Sequence, residues 1–142
     1  MKKLFLLSIA MLIGMSFSYS QYQVKVEWDA TDINCTCGVG IDSAFQITVY
    51  IRDIANEEDV TTVYDTAPGS ADEKIVDVPD VEDYCEEYHD EIPVLIAQAT
   101  VLLRCYDNPP FDACDGTGQS DQKSCSNYAG LTPIPIDAGE LD

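Results

Sequence analysis

The carboxylates of residues 106–121 are the side chains of this sequence best suited to chemistry. Asp107, Asp112, Asp115 and Asp121 supply hard oxygen donors on a stretch that also holds Gly116 and Gly118, and Ca²⁺ takes such ligands from flexible, turn-rich loops. The spacing is not that of an EF-hand, and no glutamate stands where a bidentate ligand would close the shell. Solvated turn residues are the plainer reading. No cofactor is expected, with Ca²⁺ as the candidate exception. A second acidic group, Glu82, Asp83, Glu86, Glu87, Asp90 and Glu91, suits a divalent cation, a Lys/Arg-rich partner, or simply water.

The cysteines allow a third chemistry. Cys35-Thr36-Cys37, with Cys85 and His89 four residues apart on one helical face, has the donor types of a Cys₃His zinc site. Zinc needs thiolates, and oxidised cysteines cannot supply them. Two short stretches, Asp42-Ser43-Ala44 and Asp65-Thr66-Ala67, resemble the Asp-Ser/Thr-aliphatic acceptors of some bacterial O-glycosylation systems. Asn34-Cys35-Thr36 fits the N-glycosylation pattern but carries a cysteine at its centre.

Catalytic machinery has little to build on. The chain holds one histidine, no G-x-S-x-G elbow, no H-E-x-x-H and no phosphate-cradling glycine loop. Carboxylate pairs remain, as a small glycosidase would need, but 26 acids in 142 residues produce such pairs by chance. The expectation is a protein that is not an enzyme, with no catalytic residues.

The front of the chain bears on where these groups work. Met1-Lys2-Lys3, the apolar run Leu4 to Phe17 and Ser18-x-Ser20 have the form of a cleaved secretory signal peptide over residues 1–20. The run is too short for a membrane span. A protein secreted, periplasmic or held at the cell surface is expected, in an oxidising compartment where Cys35, Cys37, Cys85, Cys105, Cys114 and Cys125 form up to three disulfides. Six cysteines allow 15 pairings. Cys35 and Cys37 are poor partners for each other. A bridge between Cys114 and Cys125, or from Cys105 into that segment, would fix a Cys-rich loop at 105–125 whose Asp115 to Ser124 stretch has no apolar run.

Charge narrows the partners. The leader holds two of the seven basic residues and none of the 26 acids, so residues 21–142 carry a net −21. Nucleic acid and anionic membranes require a positive patch, which leaves neither as a partner and argues against membrane insertion. Basic partners and divalent cations are compatible with that charge.

The elements that must position these groups follow a period of two. Tyr22, Val24, Val26 and Trp28 alternate with polar residues, as do Phe45, Ile47, Val49 and Ile51. Asn56 to Asp59 and Pro68-Gly69-Ser70 read as turns around weaker strands at 60–64 and 74–78. Val94 to Cys105 is apolar enough on both faces to be central. Leu131 to Ile136, with two prolines, belongs on an edge. One segment has helical spacing: Val81, Tyr84, Cys85, Tyr88 and Ile92, with Pro79-Asp80 as stop and N-cap and Pro93 behind. Its i,i+4 carboxylates repel, so the competing reading is a corner whose tyrosine bonds back to a nearby loop.

These elements predict one all-β domain over residues 21–142, a mostly antiparallel, disulfide-stabilised β-sandwich with one short acidic helix. The pattern resembles, in architecture, the immunoglobulin-like and carboxypeptidase-regulatory-like sandwiches of exported bacterial proteins. The Cys…Trp…Cys order of immunoglobulin domains is missing, because Trp28 precedes every cysteine. Function is expected to be that of an exported acidic binding module, calcium being its candidate stabiliser, for a protein or carbohydrate partner at or outside the cell surface. The alternative is a structural subunit of a surface fibre, adhesin or secretion assembly joined by strand addition.

Overall fold

The computed structural model describes residues 22–31, 43–105, 114–128 and 133–142. In chain order these form β1 (Gln23–Asp29), β2 (Ser43–Asp53), β3 (Glu58–Pro68), β4 (Glu73–Asp77), α1 (Asp80–Glu86), β5 (Val94–Cys105), β6 (Asp115–Gln119), β7 (Lys123–Ser124), α2 (Cys125–Tyr128) and β8 (Ile134–Glu140). The larger sheet runs β3-β2-β5-β6, with β7 on β5, and the smaller runs β4-β1-β8. Every pairing is antiparallel except β1 with β8. The fold is therefore mostly β, with two sheets rich in antiparallel pairs.

The two-residue period explains the sheets. Strand residues alternate faces, so Val24, Val26 and Trp28 of β1, Phe45, Ile47, Val49 and Ile51 of β2, and Leu95, Ala97, Ala99, Val101 and Leu103 of β5 enter one shared core. Val76, Ile134, Ile136 and Leu141 complete it. Each such side chain contributes about 1.5–3 kcal/mol by leaving water. Trp28 lies against Phe45 with ring centroids 5.0 Å apart. As expected, β5 is internal to its sheet and β8 sits at an edge.

Four expectations change on the structure. β3 is eleven residues long, not the five of 60–64, because β2 offers it a full-length partner. The first turn falls at residues 54–57 and not 56–59, since β2 continues to Asp53. Residues 115–119, expected as unsupported loop, form a strand because β5 and β8 hold them. Gly116 and Gly118 make that possible: a Cβ on Gly116 would stand 2.6 Å from the Ala138 carbonyl oxygen, and one on Gly118 would collide with that of Asp137. Backbone bonds between Asp115 and Asp142 in both directions stitch this edge.

The fourth correction is the helix, which stops at Glu86 instead of reaching Ile92. Tyr88 and Ile92, expected to be packed, are 91% and 82% exposed. The Tyr84 carbonyl, which a continuing helix would offer to Tyr88, instead accepts from the Glu87 N–H at 3.3 Å and His89 Nε2–H at 2.8 Å. Carboxylates at i,i+4 and the constraint of Pro93 on Ile92 oppose any further turn. Asp80 is not the N-cap either. Pro79 occupies that position without a side-chain bond, and Asp80 Oδ2 accepts from Thr61 Oγ1 at 2.8 Å.

Candidate functional site

The outward residues of the larger sheet form a face unlike the rest of this acidic chain. Strand register places Thr66, Gln46 and Leu102 in one row, then Tyr64, Thr48, Thr100 and Thr117, then Thr62, Tyr50, Gln98 and Gln119. None is charged. Asp115 marks one corner, and the chain's two arginines, Arg104 and Arg52, lie on the same face beyond the first and third rows. Tyr64 is 76% exposed and Tyr50 43%. Gln98 Nε2–H donates to Gln119 Oε1 at 3.1 Å across the strands.

Two open hollows indent this face. One, of about 390 Å³, lies among Tyr50, Gln98, Thr100, Thr117 and Gln119. The other, of about 290 Å³, is bounded by Gln46, Thr48, Tyr64 and Thr66, with Asp65 also on its lining. Both sit beside a tyrosine ring. The outer face of the smaller sheet is the opposite in character: Glu27, Glu73, Asp77 and Asp137 point outward there. Lys25, bonded to Glu27 and Glu73 at 2.8 Å each, lies among them. Those two hydrogen bonds hold its ammonium well above its ordinary pKa.

A second polar constellation is built around Asp53. It continues the Phe45, Ile47, Val49, Ile51 stripe by one more step and is fully buried. Its carboxylate accepts from Val94 N–H and Ala55 N–H at 3.0 Å each, Asn56 Nδ2 at 2.6 Å and Tyr84 O–H at 2.8 Å. Burial alone would raise the carboxyl's pKa, but the bonds from Asn56, Tyr84, Val94 and Ala55 outweigh it and hold it below the ordinary value. Tyr84 also lies 3.1 Å from Glu58 Oε2. Burial first, then the two carboxylates, pushes its phenol far above its ordinary pKa. Asn56 in turn exchanges bonds with the Glu91 backbone in both directions at 3.0 Å. The hub therefore ties the β2–β3 turn, α1 and the approach to β5 together. Both readings of the 81–92 segment are realised, a short helix whose tyrosine bonds back to a turn.

The cysteine expectation is met at Cys85–Cys125, a disulfide joining α1 to α2 across 40 residues. Cys114 is disulfide-bonded as well, and no described cysteine is free. The Cys114–Cys125 bridge is thus corrected: the packing of α1 on α2 brings Cys85 to Cys125, a proximity of tertiary origin. Cys85 cannot serve zinc, and His89 stacks on Tyr84 with centroids 4.1 Å apart. Cys35 and Cys37 lie outside the described residues, and Cys105 ends β5.

Of the calcium candidates, Asp107 and Asp112 lie outside the described residues. Asp115 opens β6 and Asp121 follows its far end, so the roughly 13 Å of extended strand keeps these two apart. Among the described residues no three His, Cys, Asp or Glu side chains converge as a metal site. Ser43 is buried, whereas Thr66 of the other hydroxyl motif is exposed. No helix among the described residues is long and apolar enough to cross a membrane.

Sequence reasoning passed over both constellations. The face was signalled by Gln46, Thr48, Tyr50, Gln98 and Thr100, uncharged outward positions in a chain with 26 acids. The hub was signalled by an aspartate in phase with an apolar stripe. Comparison with protein-family models, with curated proteins and with solved structures finds no match for this chain.

Proposed function

We propose that this chain is an exported, non-enzymatic binding module, a β-sandwich of immunoglobulin-like kind that meets its partner with the outer face of the larger sheet. In this reading residues 1–20 are a leader removed before Gln21, and the remainder is one domain. The shared core between two sheets supports the sandwich, and the Cys85–Cys125 bridge supports an oxidising compartment.

One observation carries the binding role: the two outer faces differ in kind. One is acidic in the manner of the whole chain, while the other presents hydroxyls, amides and two tyrosine rings, with a single acid, Asp115, at one corner of its three rows. Solubility alone would distribute charge over both. Tyrosines beside neutral hydrogen-bonding groups suit recognition of a protein or carbohydrate. Strand addition is the weaker reading. The exposed edge strand β3 carries a bulge between Ile51 and Arg52 of its partner register, a Pro68, and an Asp65 carboxylate that already accepts the Thr66 N–H at 2.7 Å. Such features discourage edge pairing.

The test places charge on the face. Residues 21–142 and the double variant Thr48→Glu/Thr100→Glu, matched for melting temperature, are applied to protein and glycan arrays. Binders retained by the parent and lost by the variant are expected. Binders indifferent to the change, or lost instead on neutralising Glu86 and Glu87, would move the interaction elsewhere.

A further inference from the structure

We propose that the ligand of this face is a neutral oligosaccharide lying across the strands, its sugar rings stacked on Tyr64 and Tyr50. The inference rests on the binding role assigned to the face above. It begins with the donors and acceptors available. A Thr hydroxyl or a Gln amide both donates and accepts, as does each hydroxyl of a sugar. An array of such groups can therefore satisfy a polyhydroxylated ligand without any charged partner. A protein surface rich in Lys or Arg would instead be drawn to the acidic face of the smaller sheet, where Glu27, Glu73, Asp77 and Asp137 stand.

The geometry fits an extended chain. Tyr64 on β3 stands beside Thr48 on β2, and Tyr50 follows two residues along β2. The two rings are thus diagonal neighbours, at the roughly 7–8 Å spacing of such positions. Each ring borders one hollow, of about 290 Å³ at Tyr64 and about 390 Å³ at Tyr50. The larger falls within the size range of small-molecule sites and the smaller at its lower edge. The aromatic faces offer apolar area to the C–H face of a sugar, while Gln46, Thr66, Thr100 and Thr117 at the rims take its hydroxyls. Charge favours a neutral glycan: the net −21 of residues 21–142 disfavours sulfated, sialylated and uronic-acid chains, and the face's only cations, Arg104 and Arg52, stand beyond its first and third rows and not among its tyrosines.

The experiment is a ¹H–¹⁵N NMR titration of residues 21–142 with millimolar neutral hexasaccharides of glucose, xylose and mannose in α- and β-linkage, alongside an oligogalacturonate. At least one neutral hexasaccharide is expected to shift amides of β2, β3, β5 and β6 saturably, with no response to the oligogalacturonate. Tyr64→Ala, at an exposed position, is expected to weaken that binding at least about tenfold, and Tyr88→Ala at the α1 end to leave it unchanged. Absence of any saturable shift, shifts confined to the acidic end, or a Tyr64→Ala variant that binds as the parent does would each overturn the proposal. If array screening yields a protein ligand whose binding Thr48→Glu/Thr100→Glu removes, the glycan is refuted while the binding face stands. If no binder maps to the face, both fail.

Discussion

Replacing Asp53 by alanine tests the physical account of the hub most directly. The substitution removes one acceptor group that serves two backbone N–H groups, an Asn56 amide and the Tyr84 hydroxyl. Tyr84 can turn to Glu58 and the Asn56 amide keeps its bond to the Glu91 carbonyl, but Val94 N–H and Ala55 N–H lose their partner. Bonds to a charged acceptor are worth about 1.5–3 kcal/mol each, and buried donors left unmade cost about 1–3 kcal/mol. Allowing for relaxation at the turn, the loss is expected at about 3–5 kcal/mol, a large share of the roughly 5–15 kcal/mol that holds a domain folded. Asp53→Asn keeps one oxygen for the two backbone donors and turns an amide toward Asn56, so it should cost about 1–2 kcal/mol. The assay is urea unfolding with disulfides intact, followed by fluorescence of Trp28, the only tryptophan and a buried one. The pH dependence adds a sign. The folded carboxyl has a pKa below its ordinary 3.8, so its contribution is complete above about pH 5 and is lost as pH falls through the lower folded value. The gap between the parent and Asp53→Asn should therefore narrow from pH 5 to pH 3. A loss under about 1 kcal/mol for Asp53→Ala, or equal losses for the alanine and asparagine variants, would refute the hub.

Breaking the Cys85–Cys125 bridge with paired serines should lower stability by up to about 4 kcal/mol, the loop entropy expected for a 40-residue separation, and thiol titration of the parent in denaturant without reductant should find no reactive thiol. Gly118→Ala should cost about 3 kcal/mol by forcing β8 away from β6, whereas Gly139→Ala, with φ at +72° and open space around it, should cost about 1 kcal/mol in the same urea assay. Monovalent salt should raise the melting temperature by screening the 26 acids. At matched ionic strength an extra rise with Ca²⁺ over Mg²⁺ is the outcome expected of a specific calcium site in the 107–121 segment or on the acidic helix, and equal shifts would remove it.

The sequence by itself determined which faces of the strands are wet. Alternation at 22–28 and 45–51 and the doubly apolar run at 94–105 set strand phase, and strand phase is a local property because successive side chains point to opposite sides. It also determined that residues 81–85 coil, and its even cysteine count pointed to the oxidised state found at Cys85, Cys114 and Cys125. Tertiary structure decided what local chemistry leaves open. The helix length depended on whether the Tyr84 carbonyl would serve the next turn or His89. The strand at 115–119 depended on β5 pairing with its edge and β8 packing against its glycine face, a condition no pattern of Gly, Thr and Gln encodes. Cys85 found Cys125 because two short helices pack together. Asp53 became a hub because burial in the core left its carboxylate no acceptor role except toward the turn, α1 and β5. The uncharged face itself was written in scattered residues, Gln46, Tyr64, Thr100 and Thr117 among them, and only strand pairing assembled them into one surface. Sequence fixes the phase of each strand within itself; which strands become neighbours is set by the whole chain burying its apolar area at once.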